Sequence, residues 1–292
     1  MLLLTLAVEQ VVNGLFLGAI YLLIALGLSL IFSLGGIVNL AHGAFYAIGA
    51  YLTIQLSPAL GFGGSLVAAP VLVAGIGLLV ERFLFRRFYR ADPILSLLLT
   101  FGLAMVAEQG IRMIFGAPPL PYGIPQALRG QVFVGDLVLS RYRLTILAAV
   151  VVAVACVWFL LQRTTFGRVV RAGVQNPDMV AALGISLKPY MATVVGLSVG
   201  LAALAGVMLA PISGVHPAMG AEVLTGAFVV VVIGGLGSFW GVVLAALIVG
   251  IVRGLMVLVY PGLAEAAIYA LMAFILLVRP RGLLGERILR FE

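Results

Sequence analysis

Charge is what this sequence most lacks. Asp, Glu, Lys and Arg make up 9% of its 292 residues, where a soluble globular domain carries about 25%. Hydrophobic residues make up 64%, and mean hydropathy is +1.26. A globule of about 300 residues still exposes roughly a quarter of the surface of its unfolded chain, so no water-soluble core hides that much apolar side chain. A soluble enzyme, a nucleic-acid-binding domain and a disordered chain are thereby excluded. What remains is an all-α polytopic integral membrane protein. At about 20 residues per span, the length allows roughly eight to ten crossings and no sizeable soluble domain.

Lysine is almost absent: Lys188 stands alone beside sixteen arginines. A Walker A loop needs a lysine against the phosphates, and Leu187-Lys188-Pro189 offers no such surroundings. The chain is therefore expected to have no ATPase site of that kind and to bind no cofactor itself. The single cysteine, Cys156, permits no internal disulfide and no cysteine metal site; its apolar neighbours predict a small buried side chain. The two histidines, His42 and His216, are too far apart to predict a metal site. No H-E-x-x-H, no G-x-S-x-G and no regular ladder of intramembrane carboxylates is present, so the expectation is a non-enzyme.

Apolar runs fall at 8–33, 37–57, 64–84, 92–115, 143–161, 190–211, 222–236, 240–259 and 264–279. In lipid every backbone group must be bonded internally, so these read as helices. The first run lacks a basic leader and a small-residue cleavage site, and is expected to stay as the first span. Twelve of the seventeen basic residues lie in three segments between or after the spans: Arg82, Arg86, Arg87 and Arg90; Arg163, Arg168, Arg171 and Lys188; and Arg279, Arg281, Arg287 and Arg290. The positive-inside bias places all three in the cytoplasm, including a tail over 280–292, and removes nucleic acid as the reason for the +7 charge. The proline-rich 116–142 segment then lies outside. Gln131–Val134 and Leu137–Leu139 flank Gly135-Asp136, which predicts a two-residue hairpin, either a lip for an external partner or a cap over helix ends.

Intramembrane charge is costly and tends to be paired or functional. Glu108 and Arg112 are spaced for an i,i+4 pair, and Arg253 is within reach of Glu265 across the Tyr260-Pro261-Gly262 turn. His216 shows no chemical role. Leu34-Gly35-Gly36-Ile37 is echoed by Ile233-Gly234-Gly235-Leu236, and paired glycine-interrupted spans are a pointer to a transport path. Asn39 and His42 follow the first interruption. Asn39, His42, Gly35, Gly36, Gly234, Gly235 and Glu108 are thus the translocation-path candidates. Small-xxx-small spacings at Gly14/Gly18, Gly196/Gly200, Gly237/Gly241 and Gly250/Gly254 predict close helix packing.

The 162–189 loop carries the most information. Asn176 suits an N-cap, Pro177 a first-turn proline, Asp178 the positive end of the helix dipole and Gly184 a C′ stop. Two turns of helix are unstable alone and need a dock. Met179, Val180, Ala182 and Leu183 suit a groove on a cytoplasmic partner, or alternatively the membrane surface.

Taken together, several stretches resemble the membrane permeases of ABC importers for branched-chain amino acids, of the shorter of two paired types. They are Val12-Asn13-Gly14-Leu15, Tyr21–Leu28, Val38-Asn39-Leu40-Ala41-His42-Gly43-Ala44-Phe45-Tyr46, Thr165-Phe166-Gly167-Arg168, Gln175-Asn176-Pro177, Leu183-Gly184-Ile185 and Val232–Ser238. The resemblance implies one permease domain over 1–292 in the bacterial inner membrane. It implies a second related permease, two ATPases that bind ATP and Mg, a periplasmic or lipid-anchored binding protein, and surrounding lipid. It also implies that Arg168, Arg171, Asn176, Pro177, Asp178, Met179, Ala182, Leu183 and Gly184 belong to a coupling segment for the ATPases, although the leading Glu of the general E-A-A-x-x-x-G importer loop is missing. Importers of urea and short amides are similar. A stand-alone secondary transporter or channel would need ion sites, and a membrane enzyme would need a nucleophile or metal cluster; the sequence offers neither.

Overall fold

A computed structural model describes residues 2–89, 92–135 and 137–285. Arg90, Asp136, Arg287 and Arg290, named above, lie outside the described residues. In chain order the elements are α1 (Leu2–Gly35), α2 (His42–Phe83), α3 (Pro93–Phe115), β1 (Gln131–Val134), β2 (Leu137–Ser140), α4 (Arg141–Arg163), α5 (Thr165–Gln175), α6 (Pro177–Ala182), α7 (Lys188–Ser213), α8 (Met219–Gly234), α9 (Phe239–Val259) and α10 (Ala264–Val278).

The two apolar runs at 37–57 and 64–84 fall in the single element α2, which is not straight. Gly61 is non-helical (φ 67°, ψ 174°). Ser57 Oγ lies 3.4 Å from Ser65 Oγ, whereas eight residues of straight helix would span about 12 Å. The chain therefore doubles back, and α2 makes two limbs. Among the described residues, seven helices are long and apolar enough to cross a membrane, with α8 shorter at Met219–Gly234. With the limbs of α2 counted separately and α8 included, the described residues make nine passes. A side chain at Gly61 would meet nothing within 4 Å, so only its left-handed backbone opposes substitution. Gly61→Ala is expected to cost about 1–3 kcal/mol, read as a lower unfolding midpoint in detergent.

The bundle has two distinct ends. At one, the antiparallel β1–β2 hairpin pairs Gln131 with Ser140 through Val134 with Leu137. The hairpin is tied to α1, where Val138 N donates to Glu9 Oε1 (2.9 Å), and the loop before it forms an isolated bridge from Leu120 to Val215, just past α7. At the other, the basic end, Gly35 lies against Tyr89 and Met191, and Gly173 against Leu34 and Leu187. α1 runs from the hairpin end to the basic end, and α7 runs the opposite way.

These directions reveal an inverted repeat. α1, the non-helical stretch 36–41 and the two limbs of α2 correspond to α7, the non-helical stretch 214–218, α8 and α9. Gly36 (φ 65°) and Gly214 (φ 71°) open the two breaks. One constant spacing separates Gly43 from Gly220, Gly49 from Gly226, Phe62 from Phe239, Gly64 from Gly241 and Gly77 from Gly254. The echo read between 34–37 and 233–236 joins unlike features. The structural counterpart of the break at Gly36 is at Gly214, and the turn at Gly235 (φ 97°) answers Gly61.

Small residues let these layers touch backbone to backbone. A Cβ at Gly14 would collide with the Gly250 carbonyl, and one at Gly206 with the Tyr46 carbonyl. Cys156 is exposed, not buried as expected. α4 gives the bundle one face, through Tyr142, Ile146, Val150, Val157 and Leu161, and Cys156 lies off it.

Candidate functional site

The two broken segments meet at Gly43 and Gly220. A Cβ on either would strike the carbonyl oxygen of the other, so neither position admits even alanine without moving a helix. Backbone freed from helical bonding at such breaks is what transporters use to hold cargo near the middle of the membrane. Thr100 of α3 ties the first break in place: Leu40 N donates to its Oγ1 (3.2 Å), and the hydroxyl lies 3.1 Å from the Val38 carbonyl. Sequence reading passed over Thr100; the spacing Ser96/Thr100 in the otherwise apolar first half of α3 is the one local signal for it.

Asn39 and His42 are fully buried here. His42 Nε2 sits 3.1 Å from the Ile24 carbonyl. Gly27 makes room for it, since a Cβ there would fall 2.8 Å from Nε2 and 2.6 Å from the Ser198 carbonyl. His42 Nδ1 and both polar atoms of Asn39 have no hydrogen-bond partner among the described residues. An unpaired buried polar group costs about 1–3 kcal/mol, and such groups mark strain or function.

Beside the crossing lies a cavity of about 280 Å3, lined by Leu40, Gly43, Ala44 and Ala47, by Pro217, Gly220, Ala221 and Leu224, and by Phe101, Met105, Glu108 and Ile111 of α3. Its walls are apolar apart from Glu108, whose carboxylate is paired with Arg112 at 2.9 Å. It therefore suits a small apolar group. Glu108 joins this site as a lining residue of the same cavity as Gly43. Gly35 and Gly36 stand at the basic end of the break. Gly234 and Gly235 stand elsewhere, in the α8–α9 turn, where Leu283 N and Leu284 N donate to the Ile233 and Gly234 carbonyls (2.8 and 3.1 Å).

The 162–189 loop folds as two helices. α6 has the expected caps. Asn176 Oδ1 accepts from Met179 N (2.9 Å), with Pro177 in the first turn. Gly184 N donates to Ala181 O (2.9 Å) and Ile185 N to Val180 O (3.2 Å), with Gly184 at φ 77°, which is a Schellman stop. Met179 is 59% exposed and Leu183 72%; Pro177, Asp178 and Ala182 are exposed too. Val180, expected on that face, is instead buried, because it points back under the short helix. α5 was not anticipated, although Phe166, Val169, Val170, Gly173 and Val174 follow a helical stripe. Thr164 Oγ1 caps it by accepting from Gly167 N (3.2 Å). Arg171 donates to the Leu161 carbonyl and holds α5 on α4, while Arg168 stays exposed.

The model of the family described as branched-chain amino acid transport system / permease component matches residues 10–278. The chain belongs to that family. This permease is 28% identical over 295 residues to the high-affinity branched-chain amino acid transport system permease protein LivH of Escherichia coli K12, covering 95% of each chain. It is 29% identical over 292 residues to LivM of the same strain, covering 91% of this chain and 68% of LivM. Among solved structures, PsaBC from Streptococcus pneumoniae in complex with Fab is similar over 94% of the permease and 92% of that chain, with 14% identity and a TM-score of 0.47.

A second intramembrane pair has the partners that the Tyr260-Pro261-Gly262 turn predicts. Arg253 lies 3.3 Å from Glu265 and also donates to the Tyr21 hydroxyl. His216 has a neighbour not foreseen, Glu222 at 3.6 Å. At the basic end the buried Glu81 accepts from the Tyr89 hydroxyl (3.2 Å). Burial and then the Glu81 charge push the Tyr89 phenol well above its ordinary value, so it stays a donor at every working pH.

Proposed function

We propose that the chain is the membrane-spanning subunit of an ABC importer for branched-chain amino acids, working as one permease domain over 1–292. Family membership along nearly the whole chain, and full-length similarity to proteins named as branched-chain amino acid permeases, support the cargo. In this reading the basic end faces the cytoplasm and carries the tail. Two ATPases bind and hydrolyse ATP with Mg there, and the chain itself is not an enzyme. A second related permease completes the path, as the similarity to both LivH and LivM suggests. A periplasmic or lipid-anchored protein delivers the amino acid.

The observation that carries the coupling role is α6. It is a rigidly capped helix of six residues whose Met179 and Leu183 are left bare. Docked on an ATPase, it passes the closure of the ATPase pair through α5 and α7 to the bundle. Coupling requires α6 to differ in free energy of contact between the two ATPase states. The path through the bundle then opens alternately to either side, with the inverted repeat giving the two gates a common design.

The experiment is co-purification of tagged permease with its ATPases. Asp178→Arg together with Leu183→Glu is expected to lose most bound ATPase and all ATP-driven uptake, with the detergent elution profile unchanged. Retained ATPase and uptake would refute the coupling role.

A further inference from the structure

One side of the bundle carries a groove built in two chemically different parts. α4 and α9 each pack on α1. Between them runs an apolar cavity of about 530 Å3, with Leu15 and Leu22 as floor and Val151, Trp158, Trp240 and Leu247 as walls. Toward the basic end it continues, through the shared residues Phe239 and Trp240, into a second cavity of about 240 Å3. That one is the more polar of the two: Arg171, Gln162, Gln175, Ser33 and Ser238 line it beside Leu26, Leu30, Val170 and Val174, and α5 forms one wall. Among the described residues, no Asp or Glu lines either cavity.

The charge at the polar end is one-sided. Arg171 uses one donor on the Leu161 carbonyl and keeps the rest of its five. Arg163 lies over Trp158, 5.7 Å from the ring centre. Ser238 caps the N-terminus of α9, which adds partial positive charge. Along α1 the lining residues run from Leu15 to Ser33, roughly 27 Å at about 1.5 Å per residue, which is room for a headgroup and an acyl chain of one leaflet, about 20–22 Å deep with its interfacial layer.

We infer that this groove binds one anionic phospholipid from the leaflet at the basic end. The phosphate occupies the polar cavity with Arg171, and an acyl chain lies along α1 between the two tryptophans. Because α5 leads directly into α6, a lipid held there fixes the root of the coupling segment against the bundle.

Native mass spectrometry of the full permease complex, released from membranes and offered equal amounts of phosphatidylglycerol and phosphatidylcholine, reads this directly. One phosphatidylglycerol should be retained about fivefold over phosphatidylcholine, the share one arginine contributes near a membrane surface. Arg171→Gln should erase that preference, and Ala155→Trp, which fills the apolar groove, should reduce retention of both lipids. Glycerol phosphate offered alone should not bind. Equal retention of the two lipids by the unaltered complex, or a preference that survives Arg171→Gln, would overturn the proposal. So would cross-linking of Val151→Cys, in a Cys156→Ser background, to a neighbouring protein subunit, because the groove would then be covered by protein.

Discussion

Gly43→Val is expected to destroy uptake and to leave little correctly folded protein in the membrane. The same holds for Gly220→Val. At each position the new side chain would be driven into the carbonyl of the partner glycine, and backbone cannot rotate away as a flexible side chain can. Overpacking typically costs about 1–3 kcal/mol, and a clash with fixed backbone lies at the upper end of that range, a large part of the stability of an ordinary domain. Gly102→Ala is the control. It lies in α3, where an added Cβ meets nothing within 4 Å, and removing a helical glycine should be neutral or stabilising by about 0.5–1 kcal/mol. Fluorescence-detected elution and thermal unfolding of the three variants separate the cases. Similar profiles for Gly43→Val and Gly102→Ala would mean that the two broken helices do not cross where described.

Asn39→Leu should move stability and transport in opposite directions. Asn39 is fully buried, and neither its amide nitrogen nor its oxygen has a partner among the described residues. Replacing it with an apolar side chain of similar size removes an unpaired group, so the unfolding temperature is expected to hold or rise, by the equivalent of about 1–2 kcal/mol. If the amide finds its partner only in another state of the cycle, or on the cargo, one hydrogen bond of about 1–1.5 kcal/mol is lost there, and uptake falls roughly tenfold. A fall in both stability and uptake would make Asn39 an ordinary core residue.

Features written in short stretches of chain were legible. The caps of α6 need only Asn176, Pro177 and Gly184, all within nine residues, and the structure has each in its expected role. The Glu108–Arg112 and Arg253–Glu265 pairs followed from helical spacing and a tight turn. The spans themselves followed from hydropathy. Features that depend on distant contacts were not legible. Nothing near Gly43 announces that Gly220 will lie against it, and a chain with 36 glycines offers many false echoes, which is why 34–37 was matched with 233–236. Val180 was placed on the exposed face because a six-residue helix has too few positions to define its buried side. Thr100 was missed because its partners, Val38 and Leu40, stand sixty residues away.

The most direct test is uptake of labelled leucine into proteoliposomes. One set would hold this chain with its second permease, two ATPases and binding protein, and another would hold this chain alone. The account predicts accumulation only in the complete set, only with ATP and Mg, and its loss with Asp178→Arg plus Leu183→Glu. Leucine entry at the same rate through this chain alone, without ATP, would contradict it and would make the protein a stand-alone transporter or channel.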